Sequence, residues 1–171
     1  NRTHKTITTE NLIRFLKDSA EIGVKAIGFL GDGEPIIHPG CYDAVIAGAD
    51  AGLDMAISTN GTILKEKNLD KFLKSLTYIR FNISAGNPDA YGKVMGTSPK
   101  LFNQVVKNIS KCVDMKRKLK LKTTIGMQMV LVEECVDQIV SYAKLGKELG
   151  VDYVQIKQCS EHGTLPHGIV P

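Results

Sequence analysis

The 171-residue chain contains no tryptophan, few aromatic residues and no strong excess of charge of either sign. Its 22 lysines and arginines outnumber its 18 aspartates and glutamates only slightly, which is too mild an excess to indicate nucleic-acid binding by itself. It also lacks a long apolar run, because the longest uncharged stretch near its middle, residues 123–132, is about half of the roughly 20 residues that a membrane-spanning helix needs. We therefore expect a globular protein with no membrane contact and no clear nucleic-acid partner.

Closely spaced cysteines are missing too. The four cysteines lie far apart in the sequence, so no pair has the spacing of a zinc knuckle or a redox motif. The N-terminus shows no apolar segment typical of a signal peptide. We expect reduced thiols in a cytoplasmic protein, with no metal ligand among the residues of this chain. The cysteines are Cys41, Cys112, Cys135 and Cys159.

What the sequence does contain is a regular alternation of helical and strand patterns. Gly23, Gly52 and Gly150 each end a helical pattern and precede a short apolar run, as expected for helix stops before buried strands. Strands that alternate with helices predict βα units, a parallel sheet and an α/β fold. Five strands are too few to close a barrel, and the chain opens on a helix, so we expect a further strand upstream of Asn1. The predicted strands are residues 24–30, 53–59, 78–84, 121–132 and 151–157.

Polar residues collect where each predicted strand ends. In parallel α/β folds, ligands bind at the carboxyl ends of the strands, so these residues are expected to line one pocket. Each also has a structural interpretation, as a turn or as a hydrogen-bonded core amide, but their occurrence at all five ends favours a ligand site. The strand-end groups are Gly31 to Pro35, Ser58 to Gly61, Asn82 to Gly86, Gln128 within the fourth strand, and Lys157 to Ser160.

The first of these loops, Gly31-Asp32-Gly33-Glu34-Pro35, suits a cation. Its glycines allow a ligand to approach the backbone closely, and free carbonyl oxygens can accept hydrogen bonds from an ammonium group. Glu34 adds a carboxylate, and Pro35 has no N–H to donate. A phosphate would instead need a row of N–H groups and a basic residue.

Three motifs together resemble the radical S-adenosylmethionine (radical SAM) superfamily. Gly31-Asp32-Gly33-Glu34-Pro35 resembles its Gly-Gly-Glu-Pro motif, with Asp32 inserted. Ser58-Thr59-Asn60-Gly61 resembles the Thr-Asn-Gly turn of its next strand, and Arg80-Phe81-Asn82-Ile83-Ser84 resembles its ribose-contacting strand. The order and intervals of these motifs also match, and the resemblance covers nearly the whole chain.

The resemblance implies a partial (βα)6 TIM-like barrel that lacks its first strand and cluster loop. A radical SAM core would span residues 1–160, and residues 161–171 would form an irregular tail that leads to a missing C-terminal region. The Gly31–Pro35 loop would hold the methionyl ammonium of S-adenosylmethionine (SAM), and Ser84 would meet its ribose or carboxylate. The other residues that the resemblance assigns to cofactor binding are Ser58, Asn60, Asn82, Gln128, Ile156 and Lys157.

One family motif is absent: the Cys-x3-Cys-x2-Cys segment that holds a [4Fe-4S] cluster. This motif normally follows the strand that we infer to be missing, so a fragment cut just downstream of the cluster loop explains both gaps. With upstream cysteines and an electron donor such as flavodoxin or ferredoxin, the parent enzyme would generate a 5′-deoxyadenosyl radical. That radical would abstract hydrogen from an unknown substrate. The fragment alone is expected to be inactive, and the sequence assigns no catalytic residue beyond cofactor binding.

Two other function classes stay open at this point. A βα-barrel lyase or isomerase could use Lys157 at a strand end, because a desolvated lysine can form a Schiff base. A non-catalytic remnant that only binds a partner is the second alternative. His38, just past the Glu34-Pro35 pair, could be a cap or an acid–base group, and the basic segment 111–122 could be a solvated face or a partner contact.

Overall fold

The computed structural model describes residues 6–31 and 33–159, and Asp32 and the tail predicted for residues 161–171 lie outside the described residues. The described helices are α1 (Thr9–Glu21), α2 (Cys41–Asp50), α3 (Leu69–Lys74), α4 (Pro88–Met95), α5 (Lys100–Leu119) and α6 (Ile139–Leu149). The strands are β1 (Ala26–Phe29), β2 (Asp54–Thr59), β3 (Leu76–Asn82), β4 (Thr124–Leu131) and β5 (Tyr153–Gln158). Two short 3-10 helices span Pro35–Ile37 and Glu133–Gln138.

The helix boundaries follow from local chemistry. Helix α1 begins where the Thr8 hydroxyl accepts a hydrogen bond from the Asn11 N–H at 3.2 Å, and such N-caps satisfy one of the free donors of the first turn. The prediction that glycines end helices is confirmed. Gly23 and Gly150 follow α1 and α6 with positive φ values of 94° and 70°. The chain can therefore turn directly from a helix into the following strand.

All five strands pair in parallel, in the order β1-β2-β3-β4-β5. This confirms the predicted α/β fold with a parallel sheet built from βα units. The sheet of the described residues is not closed, since β1 and β5 each pair along one edge. No helix in this part of the chain combines the length and the apolar character that crossing a lipid bilayer requires.

The two faces of the sheet differ in chemistry. Side chains alternate along a strand, and one set packs against the helices as the apolar core. This set includes Met55, Ile57, Ile79, Phe81, Ile125, Met127 and Met129, all fully buried. The other set points away from the helices and is polar at its centre, where Ser58 pairs with Arg80 and Asn82 pairs with Gln128 in register. We call this second surface the open face.

Candidate functional site

Glu34 joins the first predicted loop to the turn at the end of β2. Its Oε1 accepts hydrogen bonds from the Thr59 hydroxyl at 2.8 Å and from the Ile36 N–H at 3.0 Å. Its Oε2 accepts from the Asn60 N–H at 2.6 Å. Two of these three donors belong to β2 and the turn after it, 25 and 26 residues away in sequence. The carboxylate therefore fixes the ends of β1 and β2 against each other.

The two glycines of this loop leave its surface accessible. Gly31 and Gly33 adopt φ values of 117° and 92°, a region that L side chains rarely enter. A Cβ atom at either position would meet no atom within 4 Å among the described residues. Glycine is required here by the backbone conformation rather than by packing, and both residues are exposed. Pro35 then starts the 3-10 segment Pro35–Ile37.

The turn after β2 is held rigidly. Asn60 Oδ1 accepts hydrogen bonds from the Thr62 N–H at 2.9 Å and the Thr62 hydroxyl at 2.7 Å, which forms an Asx turn. The Gly61 carbonyl accepts from Asn108 Nδ2 at 2.8 Å. A Cβ at Gly61 would come within 2.9 Å of the Phe81 ring, so the turn sits tightly on the core. Asn60 acts here through its backbone N–H and as a turn former.

Ser84 lies just past the carboxyl end of β3 and keeps one hydrogen-bonding group unused. Its hydroxyl oxygen accepts a hydrogen bond from the Val130 N–H at 3.1 Å, which joins the ends of β3 and β4. No described hydrogen bond uses the hydroxyl proton. Ser84 is 8% exposed. An oriented hydroxyl with a free donor at the rim can bind an acceptor such as a hydroxyl or carboxylate oxygen.

A chain of hydrogen bonds crosses the open face below this rim. Arg80 Nε donates to the Ser58 hydroxyl at 3.1 Å, and that hydroxyl donates to Asn82 Oδ1 at 3.3 Å. Gln128 Nε2 donates to the same oxygen at 3.4 Å. The structure therefore brings three predicted site residues, Ser58, Asn82 and Gln128, into one network.

Strand β5 contributes fewer side chains to the candidate site than β2, β3 and β4 do. Ile156 pairs in register with buried Met129, so its side chain lies on the helix side and only its backbone can face the site. Lys157 pairs with Val130 and is exposed on the open face. An exposed lysine lacks the desolvated setting on which Schiff-base chemistry depends, so Lys157 gives no support to the lyase alternative.

Sequence reasoning missed several residues that shape the rim. The motifs do not identify Thr59 as a partner of Glu34, and they do not indicate the helix α4. In the structure, Asn87 Nδ2 donates to Gln138 Oε1 at 2.6 Å, which clamps the segment after β3 to the segment after β4. The Asn87-Pro88 pair, an N-cap followed by proline in the first turn, is the sequence signal that could have identified α4.

The described cysteines do not form a metal site. Cys41, Cys112 and Cys135 are buried, and the described residues contain no group of three or more metal-ligating side chains. Burial raises the pKa of the Cys41 and Cys112 thiols to about 12, which keeps them protonated, whereas metal binding needs thiolates.

His38 and the basic segment have structural partners. His38 Nδ1 accepts a hydrogen bond from the Gly40 N–H at 3.2 Å, and its Nε2 lies 2.8 Å from the Ile7 carbonyl oxygen. In the basic segment, Lys111 pairs with Glu66, and Lys116 pairs with Asp152 at 2.5 Å. These contacts favour the structural interpretation of both features.

The site described above is a parallel-strand rim with a glycine loop, a Thr-Asn-Gly turn and an oriented serine. The Radical SAM superfamily model matches residues 1–146. The chain therefore belongs to the radical SAM superfamily, as its motifs predicted. Enzymes of this superfamily use SAM and a [4Fe-4S] cluster.

Known proteins similar to this chain carry radical SAM activities. It is 26% identical over 145 residues to the AdoMet-dependent heme synthase of Methanosarcina barkeri, covering 84% of this chain and 39% of that protein. It is 25% identical over 152 residues to the GTP 3',8-cyclase of Clostridium perfringens, covering 86% and 44% respectively. The chain thus spans less than half the length of these relatives.

Solved structures of other proteins share the fold of this chain. The native anSMEcpe structure with bound AdoMet superposes with a TM-score of 0.66 at 17% identity, covering 97% of this chain and 47% of that chain. TYW1 with a lysine-pyruvate adduct bound gives a TM-score of 0.64 at 13% identity, covering 90% and 52%. These neighbours are TIM-barrel-type radical SAM enzymes, which confirms the predicted barrel-like class for the open sheet.

Proposed function

We propose that this chain forms the SAM-binding part of a radical SAM enzyme, with the cofactor lying across the carboxyl ends of the strands. The observation that carries the proposal is the Glu34 contact with Thr59 and Asn60, which holds the glycine loop and the Thr-Asn-Gly turn at one edge of the sheet. Ser84 lies at the same edge with an unused donor. Family membership supports the choice of SAM as the ligand.

The residues divide into contact groups and positioning groups. The accessible peptide groups of Gly31 and Gly33 supply carbonyl oxygens for the methionyl ammonium, and Ser84 donates to a ribose or carboxylate oxygen. Glu34 is a positioning residue, because its two oxygens already accept three protein hydrogen bonds. Asn60 is also a positioning residue, because its side chain holds the turn after β2. The backbone of Ile156 borders the part of the site that takes the adenine of SAM. Pro35 begins the 3-10 segment that follows the loop.

Three open-face residues complete the proposed cavity. Ser58, Asn82 and Gln128 form its polar wall, because they share one hydrogen-bond network. Asn82 Nδ2 is not used by any described hydrogen bond and can donate to the cofactor. Lys157 borders the same rim from β5, where its ammonium is exposed.

The cluster needs ligands from elsewhere. The described thiols are dispersed and three of them are buried, and burial raises the pKa of Cys41 and Cys112, so this set does not fit a [4Fe-4S] cluster, which takes cysteine thiolates. We propose that cysteines outside this stretch hold the cluster and that a small redox protein, such as a flavodoxin or ferredoxin, supplies its electron. Bound together, these cofactors would supply the radical chemistry that removes a hydrogen atom from the substrate. The chain's own residues orient SAM and exclude water from it.

Calorimetric titration of SAM into the protein made from its complete coding sequence tests this proposal. Ser84→Ala should weaken SAM binding at least fivefold, because it removes one donor to the ligand. Ser110→Ala, on the outer surface of α5, is the matched control and should leave the affinity unchanged. Absence of SAM binding by the unsubstituted protein, or equal affinity in both variants, would refute the proposed site.

A further inference from the structure

One charged group on the open face has no opposite charge beside it. Arg80 lies in the middle of β3, half-buried, and its Nε atom donates to the Ser58 hydroxyl. No carboxylate within residues 6–31 and 33–159 lies within salt-bridge distance of its guanidinium, although two lysines in the same part of the chain do have acidic partners. The two terminal nitrogens are not used by any described hydrogen bond.

Arg80 and its neighbours on the open face form a surface below the strand-end rim. We call this surface the floor of the open face. The neighbour of Arg80 in register on β4 is Gly126, and a Cβ at that glycine would lie 2.1 Å from the Tyr153 ring. The absence of a side chain at Gly126 thus lets Tyr153 lie across the sheet beside Arg80. Tyr78 occupies the same face one step below, paired with Ala56 on β2. The guanidinium is therefore bordered by two phenol-bearing side chains and the Ser58 hydroxyl.

A half-buried cation needs a partner more than an exposed one does. Removing a charge from water is costly unless another charge or hydrogen-bonding groups replace the lost solvation. A guanidinium presents its donors in a planar fork that matches a carboxylate or a phosphate in a bidentate arrangement. The open face offers such a ligand a cation with free donors, and the described residues around it carry no competing acid.

Position along the strand separates this group from the proposed cofactor rim. Arg80 precedes Ser84 by four residues, so its Cα lies about 13 Å below that rim along the strand. It is also two strands from the glycine loop, about 10 Å across the sheet. Its Nε atom still reaches the Ser58 hydroxyl in the polar wall of the cofactor cavity, so a molecule bound by the free terminal nitrogens lies on the open face beside the cofactor, on the side away from the rim.

We propose that Arg80 binds the anionic group, a carboxylate or a phosphate, of a small substrate on the floor of the open face. This inference rests on the proposed function, because it takes the rim above as the SAM site. It makes Arg80 a specificity-determining residue for an anionic metabolite.

Anion binding to the protein made from its complete coding sequence tests the proposal. Inorganic pyrophosphate and malonate are titrated separately in the presence of SAM, at an ionic strength held constant with sodium chloride, and binding is followed by calorimetry. We expect at least one of the two anions to bind. Tighter binding of pyrophosphate would indicate a phosphate site, and tighter binding of malonate would indicate a carboxylate site. Arg80→Gln should weaken that binding at least tenfold, and Arg80→Lys should weaken it severalfold because the charge stays and the fork is lost. Arg14→Gln, an exposed position on α1, should bind as the unsubstituted protein does.

The affinity for SAM is measured in the same variants and separates the two proposals. Unchanged SAM binding in Arg80→Gln together with lost anion binding supports the inference. If SAM binds but neither anion distinguishes Arg80→Gln from the unsubstituted protein, the inference is wrong and the cofactor site stands. A tenfold loss of SAM affinity in Arg80→Gln would instead assign Arg80 to the cofactor and overturn the inference. Should Arg80→Gln fail to fold, the Arg80→Lys comparison decides in the same way.

Discussion

Replacing Glu34 tests whether its carboxylate shapes the site or contacts the ligand directly. In Glu34→Gln, whichever way the amide is turned, its NH2 group faces either the Asn60 N–H or the Ile36 N–H, because these donors approach different oxygens. Glu34→Ala removes all three hydrogen bonds, including that from the Thr59 hydroxyl. Both variants should therefore loosen the loop even when no ligand is bound.

The expected magnitude follows from these contacts. A hydrogen bond to a charged group contributes about 1.5–3 kcal/mol, and leaving a buried donor unpaired costs about 1–3 kcal/mol. Glu34 is only half-buried, so water can replace part of what is lost. We expect a decrease in the free energy of unfolding of about 1–2 kcal/mol for Glu34→Gln and about 2–4 kcal/mol for Glu34→Ala. SAM affinity should fall in both variants.

Urea unfolding without SAM and calorimetric titration with SAM together measure the two effects. Glu21→Gln, at the exposed end of α1, is the matched control and should change neither quantity. A variant that keeps full stability without SAM but loses SAM affinity would show that Glu34 contacts the ligand directly. That result would refute the positioning role.

Two further predictions concern the core and the rim. Burial raises the pKa of Cys41 and Cys112 from 9.0 to about 12, so their contribution to stability is complete below pH 9 and is lost as the pH rises toward 12. Urea midpoints should fall over that range, and both thiols should resist iodoacetamide at pH 8 until the protein unfolds; rapid native-state alkylation would contradict this. Gly86→Ala should lower stability by about 1–3 kcal/mol, because its Cβ would lie 2.6 Å from the backbone nitrogen of Tyr142 on α6. An unchanged melting temperature would show that the loop accommodates the methyl group.

Much of the fold follows from local patterns in the sequence. Glycines end helices because they adopt positive φ at no steric cost, so Gly23 and Gly150 indicate where strands can begin. The buried face of the last helix does not follow from such patterns, because a uniform helical period would place Val136 and Val140 on the inner face of α6. Val140 is 64% exposed and Val136 is 53% exposed, whereas Tyr142 is fully buried. The 3-10 segment Glu133–Gln138 precedes α6 and changes the angle per residue, which a uniform helical period cannot represent.

The residue types of the candidate site follow from the motifs, but the contacts between its residues do not. The motifs identify Glu34 and Ser84 as polar residues at strand ends. That Glu34 bonds to Thr59 depends on how β1 and β2 pair, and that Ser84 bonds to Val130 depends on the register of β3 with β4. The sequence presents Arg80 only as part of the Arg80–Ser84 motif, because its lack of an acidic neighbour depends on how the strands assemble.

Hydrogen exchange measured by mass spectrometry, with and without SAM, tests the location of the cofactor most directly. Bound SAM should slow exchange in residues 30–36, 58–62 and 82–87 of the protein made from its complete coding sequence. Residues 100–119, which form the outer helix α5, should exchange at the same rate in both states. Protection confined to segments away from these three strand ends would contradict the account.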